Sequence, residues 1–397
     1  MIMKKLIAIS VVFALVVGTA FAVDLGGEVI GTVNVLKGDN GDDSKIGGDA
    51  TMNRIRIQGE GANDDGTFFG WFRAEGDNDS GNHHGNGTST GWPAKVWGNA
   101  GWKPIDQLKL WVGSNGGDGF FGKEGYTGWM FYQRATDPGV TLGGANVWGW
   151  SGDYNGFFAA SDPDFDWSFN PAYLTTRNAF YAGFGDNAFY ATISPIDIVD
   201  INLVLPFFNG GEIADVIGDL HAQVDLKFDF GNIAITYTGD SGDDTNGKAF
   251  VYFNLGSVEN LSLDVGLGLT IPGDVEGQPL AAGLGVKYDV NDAFGLKARV
   301  TASFAGDDEI FAVLADVLPY FALSDNLKVF ASLGLTMMNH DSFDNPFLGW
   351  HVNPFVWVGQ EWGPSFWAGL KIYGQQAPGA DEGVVNWAVP IAIGVSF

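Results

Sequence analysis

Apolar residues occupy every second position along several stretches of this chain. Residues 261–271, 296–304 and 327–335 show the pattern most clearly, with polar or small residues at most of the positions between. Successive side chains of an extended strand point to opposite faces, so each stretch has one apolar face and one polar face. Helical spacing fits none of the three stretches. The pattern therefore predicts strands whose two faces meet different surroundings.

The final strand carries the same alternation. Its apolar positions are Trp387, Val389, Ile391, Ile393, Val395 and Phe397. The segment is long enough to cross a bilayer, since a tilted strand needs about 9–11 residues. It resembles the closing strand of Gram-negative outer-membrane β-barrels, which carries a terminal aromatic residue. That resemblance implies that these six residues form an assembly signal and that the barrel-assembly machinery is a partner of the chain.

The connections between the predicted strands are of two kinds. Short turns such as Asn291-Asp292 alternate with long segments rich in Gly, Asp and Asn, such as 76–93 and 375–385. This layout is typical of transmembrane barrels. We therefore predict an all-β fold, a transmembrane antiparallel up-and-down β-barrel with short periplasmic turns and long extracellular loops. Its strand number is even and about 18, within a range of about 16–20, and residues 126–177 are the part that decides it.

The amino-terminal residues predict export. Lys4 and Lys5 precede an apolar run over residues 6–18, and Ala20-Phe21-Ala22 fits a cleavage site. Residues 1–22 are therefore predicted to be a signal peptide, and residues 23–397 a single barrel domain in the lipid of the cell outer membrane. The chain contains no Cys, which excludes disulfides and thiolate metal sites.

Composition narrows the choice further. The chain contains 59 Gly, 14 Trp and 31 Phe, which suits closely spaced strands with interfacial aromatic girdles better than a helical core. Its formal net charge is −27, and phosphate backbones would be repelled by such an excess. We therefore exclude nucleic acid as a partner.

The barrel prediction assigns the charged residues of the strands to the lumen, because lipid cannot solvate them. The pore-lining candidates are Arg54, Arg56, Arg73, Glu75, Lys109, Asp225, Lys227, Lys297, Arg299 and Lys371. Charges of both signs on the inner face predict a wet interior and hence a diffusion channel. The alternative is that these charges pair into ladders that fill a narrow barrel, but a barrel of this size is too wide for side chains alone to fill.

A basic wall and an acidic loop suggest a constriction. Arg54, Arg56 and Arg73 come from neighbouring strands, and general diffusion porins, which this chain resembles, set such a wall opposite acids on an inward-folded loop. The segment 151–178 is the candidate for that loop, through Asp153, Asp162, Asp164 and Asp166. It lacks the familiar constriction-loop motif, so an exposed extracellular loop remains the alternative. The resemblance also leaves a homotrimer open, since chains of this length serve as trimers and as monomers.

Three further sequence features suggest other chemistries. Asp240, Asp243 and Asp244 offer oxygen ligands for Ca²⁺, but they do not match the twelve-residue calcium loop, and a solvated acidic rim is favoured. Residues 87–91 fit G-x-S-x-G and residues 183–188 fit the dinucleotide fingerprint. Neither lies between a strand and a helix, as its chemistry requires. We therefore expect no resident metal, no cofactor and no enzymatic activity.

The function predicted from these features is passive diffusion of small hydrophilic solutes or ions. The acidic mouth would concentrate cations. Two alternatives stay open. The first is a sugar-specific channel in which Trp111, Trp357 and Trp367 stack on the solute, although girdle anchors at the lipid interface are the favoured interpretation of most tryptophans. The second is a surface adhesin or structural protein that the barrel anchors.

Overall fold

A computed structural model describes a large part of the chain. The described residues are 22–38, 45–46, 50–77, 95–113, 188–206, 217–239, 245–272, 280–305, 310–339, 345–359, 364–376 and 382–396. Nearly all of them belong to strands of one antiparallel sheet. No helix within these ranges is long and apolar enough to cross a membrane.

The sheet contains twenty strand segments. They are β1 (Ala22–Gly38), β2 (Lys45–Ile46), β3 (Ala50–Ala62), β4 (Phe68–Asp77), β5 (Lys95–Ile105), β6 (Leu108–Gly113), β7 (Ala188–Ile196), β8 (Val199–Pro206), β9 (His221–Phe228), β10 (Gly231–Thr238), β11 (Thr245–Val258), β12 (Leu261–Pro272), β13 (Leu280–Asn291), β14 (Phe294–Ala305), β15 (Ile310–Ser324), β16 (Leu327–Asn339), β17 (Phe347–Gly359), β18 (Pro364–Gly369), β19 (Lys371–Gln376) and β20 (Val384–Ser396).

These segments make 18 barrel strands within the described residues. β2 is a two-residue segment paired with β1, and β18 and β19 are halves of one strand, since both pair with β17 on one side and β20 on the other. From β3 onward each barrel strand pairs with the next in sequence. β1 pairs with β3 on one side and β20 on the other, which closes the ring. The predicted antiparallel up-and-down barrel of about 18 strands is confirmed.

Two prolines account for the break between β18 and β19. Leu370 lies opposite Pro354 of β17, and Gly369 lies opposite Pro390 of β20. Proline has no N–H to donate to the ladder. The backbone N–H of Leu370 still donates to the Pro354 carbonyl at 2.9 Å, and the register is the same on both sides of the break. The wall is therefore interrupted locally without a slip.

The barrel is apolar outside and polar inside. Large apolar side chains are exposed at alternate strand positions, for example Leu335, which is 67% exposed. Polar side chains are buried on the other face, for example Asp225, which is 0% exposed. In β17, Val352 and Val356 are exposed, whereas Asn353 and Phe355 between them are buried. This arrangement is the reverse of a soluble protein and matches a strand wall between lipid and lumen.

Aromatic rings cover glycines on neighbouring strands. Five of the glycines with an aromatic cross-strand partner lie in close contact with it: Gly59 with Phe72, Gly101 with Phe69, Gly295 with Tyr320, Gly369 with Phe355, and Gly374 with Trp350. At each glycine a Cβ would lie under 3.0 Å from an atom of that partner. At four of the five glycines this atom belongs to the ring, which therefore occupies the space that the missing side chain leaves, as in the aromatic rescue of strand glycines; at Gly369 it is the Cβ of Phe355. Part of the joint enrichment in Gly and aromatics has this cause.

Ring closure by β1 and β20 predicts a specific cross-link. Val29 and Val395 are Cα partners, and partners in an antiparallel pair lie about 4.5–5.5 Å apart, within disulfide reach. In this cysteine-free chain, Val29→Cys with Val395→Cys should form an intramolecular disulfide on oxidation, seen as faster migration of the boiled protein on a non-reducing gel. Val29→Cys with Ile391→Cys is displaced by about 13 Å along the strand and should not cross-link. Equal cross-linking of both pairs would contradict the closure.

The glycine–aromatic pairing predicts a coupling between Gly374 and Trp350. A Cβ on Gly374 would lie 2.3 Å from Cε2 of the Trp350 ring, so Gly374→Ala should destabilise the barrel by about 1–3 kcal/mol. In a Trp350→Val background the same change should cost far less, because the ring is gone. Gly256→Ala is the matched control, since its Cβ would meet only Asn254 Oδ1 at 3.5 Å. Urea unfolding in lipid vesicles, followed by the gel shift of the folded barrel, measures all four variants.

Candidate functional site

The inner wall of the barrel is the candidate functional site. Cα partners followed from strand to strand place all ten predicted pore-lining positions on the face that buries Asp225. The inward positions thus come from strands around the whole ring. Their role in lining a pore remains a proposal.

The three arginine positions of the predicted basic wall lie close together on β3 and β4. Arg54 and Arg56 alternate along β3, and Arg73 stands opposite Gln58, which is the next inward position of β3. The side chain of Arg73 is buried, and its Nε donates to Gln58 Oε1 at 3.2 Å. The three positions are therefore neighbours in the sheet, and their role as a basic wall stays a prediction.

Acidic positions stand directly opposite two of these arginines. Arg56 is the Cα partner of Glu28 on β1 and of Glu75 on β4, and Arg54 is the partner of Asp77. The sequence alone placed Glu75 inside but did not pair it with an arginine, because the alternation of faces along a strand does not fix its register against the neighbouring strand. In register, this part of the wall alternates in charge.

A hydrogen-bonded chain of polar side chains crosses β7 to β10. Asp225 lies at its centre, accepting from Asn202 Nδ2 and from Gln223 Nε2, each at 2.6 Å. Thr236 Oγ1 donates to Gln223 Oε1 at 3.1 Å, and Thr192 Oγ1 donates to Asn202 Oδ1 at 2.8 Å. Both carboxylate oxygens of the predicted pore-lining Asp225 are thus satisfied, which a buried carboxylate requires.

Asp200 is an inner-wall acid that the sequence analysis missed. It is the Cα partner of Asp225, so two carboxylates face each other across β8 and β9. Lys227 Nζ lies 2.7 Å from Asp200 Oδ2, and Ser194 Oγ donates to Asp200 Oδ1 at 2.7 Å. The lysine and the hydroxyl compensate the second charge. The apolar alternation of residues 199, 201, 203 and 205 was the sequence signal that could have placed Asp200 inside.

A lysine and three aromatic rings form a second feature of the wall, near the short-turn end of β6. Lys109 Nζ lies 4.3 Å from the ring centroid of Phe69 and 5.0 Å from that of Trp111. Trp111 stacks on Tyr190 with centroids 5.2 Å apart, and both rings are buried. The girdle interpretation is wrong for Trp111, since this ring belongs to the inner face.

A similar group lies across β15 to β17. Lys328 Nζ is 5.3 Å from the ring centroid of Trp357, and Phe330 stacks on Phe355 with centroids 4.7 Å apart. Trp357, Phe330 and Phe355 are all buried. Trp357 is thus a second tryptophan for which the girdle interpretation is wrong. Trp367, the third, occupies the position opposite Trp357.

Further polar pairs lie on the same wall. Lys287 Nζ is 3.0 Å from Asp289 Oδ2, and Tyr320 Oη donates to the other oxygen of Asp289. Ser332 Oγ lies 2.9 Å from His351 Nε2, and both residues are buried. The predicted pore-lining Lys297 is also buried. Acids, bases and hydroxyls are therefore distributed along the inner face, which suits contact with water and ions.

The structure describes seven turns at the short-turn end of the barrel. Each of them carries at least one exposed acidic residue. These residues are Asp64, Asp65, Asp106, Asp197, Asp229, Glu259, Asp292 and Asp325. Lys103 Nζ, 2.8 Å from Asp106 Oδ1, donates a hydrogen bond that lowers the pKa of Asp106. The backbone N–H of Thr67 donates to Asp65 Oδ1 at 2.9 Å and lowers the pKa of Asp65. The rim is therefore negatively charged at neutral pH.

Several sequence predictions lie outside the described residues. They are the loop acids Asp153, Asp162, Asp164 and Asp166, the calcium candidates Asp240, Asp243 and Asp244, the terminal Phe397, and the G-x-S-x-G segment 87–91. Of the assembly-signal residues, those from Trp387 to Val395 lie in β20, whose pairing with β1 closes the ring. The rejected dinucleotide fingerprint runs into strand β7, as expected from its sequence. Among the described residues no group of three or more His, Asp or Glu could hold a metal ion.

Comparison with known proteins identifies the fold. No family model matches the chain, and no curated protein matches it. Among solved structures, an anion-selective porin from Comamonas acidovorans matches with a TM-score of 0.51 at 15% identity, over 95% of this chain and 100% of that one. OmpF of Salmonella typhi, in complex with daunomycin, matches with a TM-score of 0.53 at 10% identity, over 96% and 99% of the two chains. Together with the closed ring of strands, these matches show that this chain has the transmembrane β-barrel fold of outer-membrane porins.

Proposed function

We propose that this protein is an outer-membrane porin through which small hydrophilic solutes and ions diffuse passively. The observation that carries the proposal is the closed barrel of 18 strands with polar and charged side chains on its inner face and apolar side chains outside. Barrels of about 16–18 strands leave an aqueous channel, whereas small barrels are filled by side chains. Diffusion down a concentration gradient needs no further machinery.

Its placement in the outer membrane follows from the same surfaces. The exposed apolar positions match lipid, and β20 with its alternating apolar residues closes the ring. The proposed signal peptide, residues 1–22, ends where β1 begins at Ala22. We include the barrel-assembly machinery among its partners because the last strand carries the signature that this machinery reads.

The distribution of charge supports a preference for cations at the mouths. Within the strand segments basic residues outnumber acidic ones, so the negative excess of the chain lies outside these segments. At the short-turn end, the exposed acids of the seven described turns form a negatively charged rim around the mouth of the barrel. An acidic rim concentrates cations in front of the pore. The Comamonas neighbour is named as anion-selective, so the preference proposed here rests on the charges of this chain.

The rim charges predict a change in ion selectivity. A variant with Asp197→Asn, Asp229→Asn, Glu259→Gln, Asp292→Asn and Asp325→Asn should lower the cation-to-anion permeability ratio towards unity, because the rim loses five charges. Each replacement keeps the size of the side chain. Lys109→Gln, which removes a wall cation, should raise the ratio instead. Reversal potentials in planar bilayers under a KCl gradient at about 0.1 M measure both, since salt near 1 M screens the rim. An unchanged ratio in the rim variant would contradict the proposed role of the rim.

Acidification predicts a reversal of the preference. Aspartates lose their charge as the pH falls through about 4, while lysines and arginines keep theirs. The wild-type channel should therefore pass from cation preference at pH 7 to anion preference near pH 3. Asp65 and Asp106 should keep their charge to a lower pH than an ordinary aspartate does, because their pKa values are lowered. The same reversal-potential measurement at a series of pH values tests this, and a ratio independent of pH would contradict it.

A further inference from the structure

Two hydrogen-bond donors without acceptors lie side by side on the inner wall at the short-turn end. Lys328 and Trp357 are Cα partners on β16 and β17, and Lys328 Nζ lies 5.3 Å from the Trp357 ring centroid. Trp357 is 3% exposed, and its indole Nε1 has no hydrogen-bond partner. Within the described part of the chain, Lys328 has no carboxylate partner either. The site therefore offers an indole N–H and an ammonium group that have no hydrogen-bond acceptor.

Other lysines of the barrel do have carboxylate partners, which makes the lack of one at Lys328 unusual. Lys103, Lys227 and Lys287 each have an aspartate oxygen at 2.8, 2.7 and 3.0 Å respectively. An indole nitrogen can only donate, so a partner for Trp357 must bring an acceptor. Buried donors are almost always satisfied in folded proteins, and an exception calls for an explanation. A bound acceptor supplies that explanation here.

The surroundings of the two donors are apolar and aromatic. Next to them along β16 and β17 lies the stacked pair Phe330 and Phe355, with Tyr320 at 6.2 Å from Phe330 on the other side. A small inorganic anion could bind to the two donors without using these aromatic rings. A solute that uses the whole site combines a negatively charged oxygen with an apolar ring, since oxygen meets the donors and the ring packs against aromatic faces.

We infer that Lys328 and Trp357 form a binding site for a small carboxylate that carries an apolar ring. One carboxylate oxygen accepts from the Lys328 ammonium and the other from the Trp357 indole N–H, each at about 2.8–3.0 Å. The ring lies towards Phe330 and Phe355. The half-buried Lys328 is the part of the site that solvent reaches. Because the site opens to the lumen, the inference rests on the proposed channel function for the entry of the solute.

Two other solute classes fit less well. A neutral sugar stacks on aromatic rings but leaves the Lys328 charge without a counter-ion. Chloride or sulfate satisfies the charge but makes no use of the rings. The carboxylate with a ring is the class that answers both features, and it would be retained in the pore longer than other solutes of its size.

Benzoate binding to the detergent-solubilised barrel tests the inference. Saturation-transfer NMR on the benzoate signals measures affinity, and 5-fluorotryptophan labelling locates the site, since Trp357→Phe identifies its resonance among those of the 14 tryptophans. Benzoate should shift the Trp357 resonance saturably, whereas acetate and sulfate at equal ionic strength should not. Lys328→Gln and Trp357→Phe should each weaken benzoate binding, the first by about tenfold or more.

Matched variants separate the site from the rest of the wall. Lys287→Gln removes another inner lysine, and Trp350→Phe changes a tryptophan on the lipid face of the same strand β17; both should leave benzoate affinity unchanged. An unshifted Trp357 resonance, equal shifts with sulfate, or equal loss in the control variants would each overturn the inference. Folding of every variant is checked by its gel shift. Conductance is measured separately, so a barrel that conducts but does not bind benzoate refutes only the site, and one that binds but does not conduct refutes the channel.

Discussion

The fold depends on one constraint, which is that lipid offers no hydrogen bonds to the backbone. Every N–H and C=O of a spanning strand must pair within the protein, so an open sheet edge in the membrane would leave a row of unpaired groups. The pairing of β1 with β20 removes the edges. Where Pro354 and Pro390 lack N–H donors, the ladder is interrupted only beside Leu370 and Gly369, because the register with both neighbouring strands continues unchanged beyond Leu370. Asn353 Oδ1 even accepts from the backbone N–H of Ile372 at 3.1 Å.

Closure also decides where charge can lie. Once one face of each strand meets lipid, the charged residues of the strands collect on the inner face, and they must be compensated there. Asp225 is held by two amides and Asp200 by Lys227 and Ser194. Truncating one partner of such a buried group leaves an unsatisfied charge, which is costly. The group of Lys328 and Trp357 is different because two donors meet without an acceptor. This contrast with the compensated charges elsewhere on the wall is the basis of the binding site that we propose there.

Glycine and aromatic residues serve the wall as pairs. A ring leaning over a cross-strand glycine fills the space beside it, as Trp350 does over Gly374 on the lipid face and Tyr320 over Gly295 on the inner face. Composition alone suggested interfacial girdles as the reason for so many aromatics. Trp111 and Trp357 instead line the inside, next to lysines. A count of residue types cannot distinguish these roles, since both faces of a barrel strand accept a tryptophan.

The sequence by itself determined the fold class and the approximate strand number, and it predicted an inward face for the ten pore-lining candidates while missing Asp200, because the two-residue period and the lipid constraint act locally along each strand. It therefore placed Arg73, Lys109 and Asp225 on the inner wall. Only the tertiary structure decided which residues meet across strands, including Arg56 opposite Glu28 and Lys328 beside Trp357. Register links strands far apart in sequence, and a shift of two residues along a strand keeps every face while changing every partner. The alternation of residues along one strand does not change with such a shift. The cross-strand partners could therefore be known only from the closed barrel.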